Sequence, residues 1–391
     1  MDGGRKMLGV AIIGAGAIAN VHADAFLTHK DRCRIVAVSD LYIDKAEAII
    51  KDKGLDGATA AADYKDVISR ADVDIVSICL PPKGHADVAI EALRAGKHVL
   101  VEKPMAASLE ECDKMIDAAR TAGKLLSPIA QNRYKTPNFK VWHMLESKEA
   151  GRPLHVIVNS LWWRGTNYYD IWWRGTWQSE CGGSVTSHAV HHLDLLQWFV
   201  GMPKTVTAVI NNVAHDNSEV EDVGVAIFGY DNMLAQMTVS MVSHDEEAEI
   251  IVQTDKGRVS VPWKPAASKP LPNGFPQPNG EALAGLQAAY DAVPELSTEG
   301  HPAQVGNFLR AIAGEEELLI DGEQGRRAIE IIMAIYKSSV TKAMVTLPIT
   351  RDDPFYRHET MAAQMPRFFQ KTRSVENFSN NTITLGRDVG R

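Results

Sequence analysis

Gly9-Val10-Ala11-Ile12-Ile13-Gly14-Ala15-Gly16-Ala17-Ile18-Ala19 is the stretch whose reading decides the fold. Its first five residues are small or apolar and read as a short buried strand. A glycine turn follows, and from Ala17 a helical pattern runs to about Thr28. Strand, glycine turn and helix are the context in which Gly-x-Gly-x-x-Ala holds a dinucleotide. Gly14 allows the tight turn, Gly16 lets the backbone approach a pyrophosphate, and Ala17 and Ile18 open the helix on which that group rests. Ala19 replaces the third glycine where strand and helix pack closely. Alone the pattern is weak, because small residues also make ordinary turns.

The next strand adds to it. Arg34 to Val38 alternates, and Asp40 follows a little over twenty residues beyond Gly16. An acid there accepts the ribose hydroxyls of an adenosine and repels a 2′-phosphate, which favours NAD over NADP. The alternative is a cap for the helix that begins near Asp44; turn and acid together favour the cofactor. The alternation then continues: helix from Asp63, strand from Asp74, helix from Gly84, strand from His98, helix from Ser108, strand from Leu125. Such alternation implies right-handed crossovers and a doubly wound parallel sheet, an α/β Rossmann domain over residues 1–130.

His98-Val99-Leu100-Val101-Glu102-Lys103-Pro104 is a buried strand ending in a charged pair. Pro104 cannot donate to a ladder, so the strand stops there, and Lys103 falls at the C-terminal lip where open α/β sheets bind ligands. A plain surface Lys–Glu pair is the competing reading.

At 391 residues the chain exceeds the size at which one core keeps growing, so two domains are expected. With 45% hydrophobic and 23% charged residues it has the composition of packed cores rather than disorder. The net charge of −8, without a dense Lys/Arg run, argues against a nucleic-acid partner. Met1 to Lys6 lacks the apolar core of a signal peptide, and no apolar run is long enough to span a bilayer. Cys33, Cys79, Cys112 and Cys181 are scattered, which suits a reducing cytoplasm and argues against a thiolate metal site.

Three elements together resemble the Gfo/Idh/MocA oxidoreductases: the glycine turn at 12–19, Leu80-Pro81-Pro82-Lys83-Gly84-His85, and Ala95 to Pro104 with its Glu-Lys-Pro ending. The resemblance extends to Gly325-Arg326-Arg327-Ala328-Ile329-Glu330 and so covers roughly residues 8 to 349. It implies a C-terminal α+β domain, here 131–348, built on a large open, mostly antiparallel sheet. It also implies that Lys103 hydrogen-bonds the reacting hydroxyl, often with a cis Lys103–Pro104 bond. Leu80, Pro81, His85, Glu102 and Gln131 become cofactor contacts on the same ground. The open sheet implies a homodimer or homotetramer.

Gln131-Asn132-Arg133 opens the second domain; each is a candidate contact or part of a plain linker. Further on, five of the eight tryptophans lie between Trp162 and Trp177, mixed with Arg164, Tyr168, Asp170 and Arg174. Aromatic faces suit the C–H faces of a sugar, and Arg binds its hydroxyls or acids. Oligomer interfaces use the same residues, so Arg164, Arg174 and Trp177 stand as substrate contacts beside an interface reading.

Gly182 to Trp198 carries Ser187, His188, His191, His192 and Asp194 on a helical pattern. Ser187 and His191, four apart, are expected on one face. By resemblance His191 is the catalytic histidine and Asp194 the acid after it, whereas Ser187 departs from the usual Asp. A hydroxyl orients a histidine less strongly than a carboxylate does, so either the base is less strongly poised or His188, itself a candidate substrate contact, assists. His192, off that face, reads as a satisfied structural histidine. The cluster lacks a recognised metal spacing, and no metal is expected.

Thr205 to Val261 reads as strands joined by turns at Asp231-Asn232 and Asp255-Lys256-Gly257, Pro262 to Pro278 as a long loop, and 349–391 as a C-terminal extension. The expectation is an NAD-dependent dehydrogenase of a sugar, cyclitol or glycoside alcohol, with Lys103, His191 and Ser187 at the reaction centre. A glycosidase of the same fold that retains its NAD, and a protein that only senses NAD, are the rivals.

Overall fold

The computed structural model describes residues 6–376 and 378; Met1 to Arg5 and most of the chain beyond Glu376 lie outside the described residues. The N-terminal sheet has six strands: β1 (Leu8–Ile13), β2 (Cys33–Ser39), β3 (Thr59–Ala61), β4 (Ile75–Ile78), β5 (His98–Val101) and β6 (Leu126–Pro128). They run in the order β3-β2-β1-β4-β5-β6, and every pairing is parallel. The order reverses between β1 and β4, which opens a crevice at their C-terminal ends. The helices α1 (Ala17–Leu27), α2 (Ile43–Asp52), α3 (Tyr64–Ile68), α4 (His85–Arg94) and α5 (Leu109–Ala122) make the crossovers. Ser108 caps α5 by accepting the Glu111 N–H at 3.2 Å, the half of the capping box that satisfies an orphan helix donor.

After α6 (Thr136–Glu146) the chain builds a second sheet from β7 (Pro153–Leu161), β8 (Thr205–Asn211), β9 (Val223–Gly229), β10 (Leu234–Ser240), β11 (Ala248–Thr254) and β12 (Arg258–Val261). Its order is β12-β11-β7-β10-β9-β8-β15, with β15 (Val345–Thr346) at the edge. Consecutive strands pair antiparallel across the expected turns. The pair β7–β10 is parallel, because the long connection carrying α7 (Val190–Val200) lets the chain return in the same direction. Inward residues of β8, β9 and β10 are buried under α7 and α10 (Gly322–Thr341), while the outward face shows Val209, Val225, Ile227 and Leu234.

The stretch expected to be a loop at 262–278 is more ordered. It forms a hairpin of β13 (Ser268–Pro270) and β14 (Pro276–Pro278), closed at Asn273-Gly274 with Gly274 at φ +84°. A proline-bounded pair needs no central ladder, so its prolines are tolerated. The helix α8 (Gly280–Ala292) follows, capped by the Asn279 side chain. The next helix, α9 (Gly300–Ile312), crosses back to the first domain. Its Val305, Phe308 and Leu309 share a core with Ala19, Ala23 and Phe26 of α1. The chain ends in α11 (His358–Gln364) and an extended segment reaching Val375, which bridges to Ile171.

Candidate active site

β1 leads into the glycine turn at the crevice. Gly14 has φ +94°, and a Cβ there would sit 2.6 Å from the Cys79 carbonyl oxygen, so only glycine fits. Gly16 is the N-cap of α1, and the space its Cβ would fill is open, with nothing within 4 Å. Bare backbone therefore faces outward at a helix N-terminus, and the first turn of α1 holds no acid to repel an anion. Asp40 is half-buried at the end of β2. Its Oδ2 accepts the Ala15 N–H at 2.7 Å and its Oδ1 the Tyr42 N–H at 2.9 Å. It braces the glycine loop and does not cap the first turn of α2. These features fit NAD: an open phosphate cradle with an acid beside it.

β5 delivers Lys103 to the same lip, and the Lys103–Pro104 bond is cis. The ammonium donates to the Ser187 carbonyl oxygen at 3.0 Å. His191, in the first turn of α7, lines one cleft with Lys103, Met105, Asn132 and Asp194. Burial, then the Lys103 charge, holds the His191 ring well below the ordinary histidine range, so it is neutral at pH 7. Burial also lowers Lys103, partly offset by Glu102.

The segment before α7 corrects the expected pairing of Ser187 with His191. Val185–Ala189 is a π-helical turn, and the Ser187 hydroxyl donates to the Gly183 carbonyl at 2.7 Å. Its one hydrogen is thereby used, so His188 Nδ1, 3.0 Å away, carries the hydrogen between them. That leaves His188 Nε2 a bare acceptor. Burial, then Arg164 and Lys103, keeps this ring neutral as well. The wide turn wraps the buried Glu221 carboxylate, which accepts the N–H groups of Gly183 and Val185 and the Tyr336 hydroxyl at 3.0–3.1 Å.

Arg164 and Arg174 flank this corner from the aromatic loop. Arg174 stacks on Tyr168 and Trp173 at 4.1 Å and pairs with the buried Glu180 at 2.7 Å. Arg164 pairs with Glu246 and lies against Trp162 and Tyr168. The Tyr168 ring stands 5.9 Å from His188, closing the wall.

Four expected site residues, Arg133, Trp177, His85 and Glu102, face elsewhere. Arg133 is fully buried in a bidentate pair with Asp194, at 2.9 and 2.7 Å, and contacts Gln324, so its donors are spent. Trp177 is core, its N–H on the Pro366 carbonyl. His85 is fully buried between the carbonyls of Leu80 and Pro104, both at 2.8 Å, and fixes the two cofactor-side turns from behind. Glu102 turns inward: it accepts from its neighbour Lys103 N–H at 3.1 Å and from His22 at 2.9 Å, with His301 of α9 3.6 Å away. His192 is buried but not satisfied, since neither ring nitrogen has a partner among the described residues. Pro81 starts the short turn Pro82–Gly84 at the lip, Leu80 packs over Gly14, and Gln131 Oε1 is buried and unpartnered beyond β6.

His22, Glu102 and His301 could be taken for metal ligands. Burial works against a charged His22, but Cys79 and Glu102 outweigh it and push the ring up to about 10. A protonated imidazole donates from both nitrogens, here to Glu102 and to Ser77 Oγ at 2.7 Å, which ties the trio into a buried hydrogen-bonded network. The sequence reading missed His22, whose place one turn after the fingerprint is the signal that marks it; His301 and Glu221 come from distant segments without a local signal.

A parallel sheet with a bare glycine cradle and a lysine at its lip, facing a histidine from a second domain, is the architecture of a nucleotide-dependent oxidoreductase. The chain belongs to the Gfo/Idh/MocA family: residues 8–129 match its NAD-binding Rossmann fold and residues 143–347 its C-terminal alpha/beta domain. It is 26% identical over 362 residues to D-glucoside 3-dehydrogenase of Escherichia coli K12, covering 87% of this chain and 97% of that one. Over 194 residues it is 34% identical to inositol 2-dehydrogenase of Salmonella typhimurium LT2, covering 49% and 54%. The WlbA dehydrogenase of Chromobacterium violaceum, solved with NADH and UDP-GlcNAcA, superposes with a TM-score of 0.76 at 30% identity, covering 88% and 97%. No helix among the described residues is long and apolar enough to cross a membrane.

Proposed function

We propose that the protein oxidises a secondary alcohol of a sugar, cyclitol or glycoside with NAD, Lys103 and His191 acting on the hydroxyl. The observation that carries this reading is a convergence: a lysine that donates to the Ser187 carbonyl and a histidine held neutral line one small cavity between the domains. Lys103 moves its hydrogen bond from Ser187 to the substrate oxygen and stabilises the developing alkoxide. His191 takes the hydroxyl proton as general base. Bound NAD supplies the hydride acceptor. Asn132 lines the same cleft and is suited to hydroxyl recognition, and His188, with Nε2 bare, is a second acceptor on the substrate side. Relatives named for D-glucoside and inositol support this substrate class.

The test is a screen of inositols, aldoses and alkyl glycosides with NAD and NADP, read by NADH absorbance. Stoichiometric NADH from a free polyol is the expected result. Cleavage of a glycoside with no net NADH would sink the dehydrogenase reading and favour the glycosidase.

We further propose that a second copy covers the outward face of the second sheet, giving a homodimer or homotetramer. Val209 and Val225 are cross-strand partners there, with Ile227 two residues along the same strand as Val225; each is about half exposed or more, and they support an isologous contact. The four free cysteines are all buried, which suits a reducing cytoplasm.

A further inference from the structure

The matched family domains end at residue 347, yet the chain continues in a defined course to Val375. That continuation does not drift over the surface. It returns to the aromatic loop between β7 and the π turn, whose own regular structure is one short 3-10 turn, Thr166–Asp170.

The contacts are with backbone groups of the loop. Val375 donates its N–H to the Asp170 carbonyl at 2.7 Å and accepts the Trp172 N–H at 2.8 Å, a two-bond parallel bridge. The Lys371 ammonium donates to the carbonyls of Tyr169 and of Ile171. Asn217, fully buried between the two segments, accepts the N–H groups of Thr372 and Arg373 at 2.7 and 2.9 Å and donates to Asp170 Oδ1 at 2.7 Å. Arg373 adds ion pairs to Asp170 and Asp216. Upstream, Pro366 takes the Trp177 indole N–H and His358 bonds the Trp177 carbonyl. Both ends of the loop are therefore held by chain that follows it by about two hundred residues.

Tyr168 and Tyr169 are adjacent in the 3-10 turn and their rings meet edge to face. Tyr169 is fully buried, while Tyr168 turns toward His188 and stacks Arg174. Fixing the Tyr169 and Ile171 carbonyls holds that turn in place, and with it the Tyr168 ring beside His188. Local elements that lack their own ladder are the first to open, and a wall that opens costs substrate positioning without touching the phosphate cradle.

We propose that the segment 366–375 is a built-in brace for the substrate wall, with Lys371 the positioning residue that holds Tyr168 and Arg174 against His188. The idea rests on the alcohol dehydrogenase reading above. It assigns to this chain's own extension a part in substrate recognition that the two matched domains do not supply.

The test uses the full-length chain with Lys371→Ala and Lys371→Arg. Lys371 is half-exposed, so both variants are expected to fold, which their circular dichroism checks. For Lys371→Ala the KM of the alcohol is expected to rise about tenfold, with kcat within about twofold and the dissociation constant of NAD unchanged. Trypsin should cut after Arg174 faster than in the parent, and Lys371→Arg, which keeps two donors, should reverse both effects. An unchanged KM, or a KM that moves together with NAD affinity, overturns the proposal. If the parent oxidises no alcohol, the function reading has failed, and proteolysis alone decides the brace: faster cleavage at Arg174 supports it and equal rates overturn it.

Discussion

Lys103 and His191 approach the cleft from different domains, and each is set by its surroundings as much as by its type. On the proposed mechanism, Lys103→Ala removes the donor to the reacting oxygen. We expect kcat to fall by about 10²- to 10³-fold with NAD binding retained, measured by cofactor titration beside steady-state rates. His191 must be neutral to accept a proton. Because burial and Lys103 depress its pKa, the ring gains its proton only as pH falls below the ordinary histidine range. The acid limb of kcat for alcohol oxidation should therefore lie below about pH 6.5; a limb at or above that value would assign the base elsewhere. Asp40→Ser should lower discrimination against NADP by about tenfold or more, read as the ratio of kcat/KM with the two cofactors. At this scale the sequence was informative where the signal is local. Glu-Lys-Pro and Gly-x-Gly are each complete within three consecutive residues. The roles of Arg133 and Trp177 depend on Asp194 and Pro366, partners far along the chain that no spacing announces. A buried, spent arginine and a free one look identical in a sequence.

The element that matters most is the turn entering α7. Helical periodicity across Ser187, His191 and Asp194 was legible, but the π-helical opening was not, because it is imposed from outside by Glu221. Its carboxylate satisfies N–H groups that an ordinary helix start would leave to water or to a cap. Glu221→Leu keeps the bulk and leaves the Gly183 and Val185 donors buried and unpaired. We expect a loss of about 2–4 kcal/mol, measured by chemical denaturation, together with reduced kcat because His191 rides on the same turn. Glu221→Gln, which keeps one acceptor, should cost less on both counts. The strands were largely legible from alternation and turn residues. The hairpin at Asn273-Gly274 was masked by the prolines around it, although Asn-Gly between short extended runs is a strong hairpin signal.

Across the whole molecule, helices α9 and α10 join the second domain to the first, and the outward face of the second sheet remains open. If a second copy covers it, Ile227→Asp should break the assembly. The charge would stand beside Thr207 and Gln236 at the centre of the apolar patch. Light scattering should then report the monomer mass, and an unchanged mass would show that this face is not the contact. The division into two domains followed from length and from the change from alternating helices and strands to consecutive strands. The return of α9 did not, since nothing in Gly300–Ile312 says which core its Val305, Phe308 and Leu309 will join.

That return has a consequence for how the protein is made. The flank of α1 bearing Ala19, Ala23 and Phe26 leaves the ribosome long before α9 exists to cover it, and His29 waits equally long for the Pro302 carbonyl it meets at 2.7 Å. The nucleotide-binding half is thus the first to be synthesised and among the last to be closed. A nascent chain stopped before residue 312 presents a sticky groove to its neighbours on the polysome, so truncated products of this gene are expected to self-associate or to be held by chaperones, while the finished chain conceals the groove.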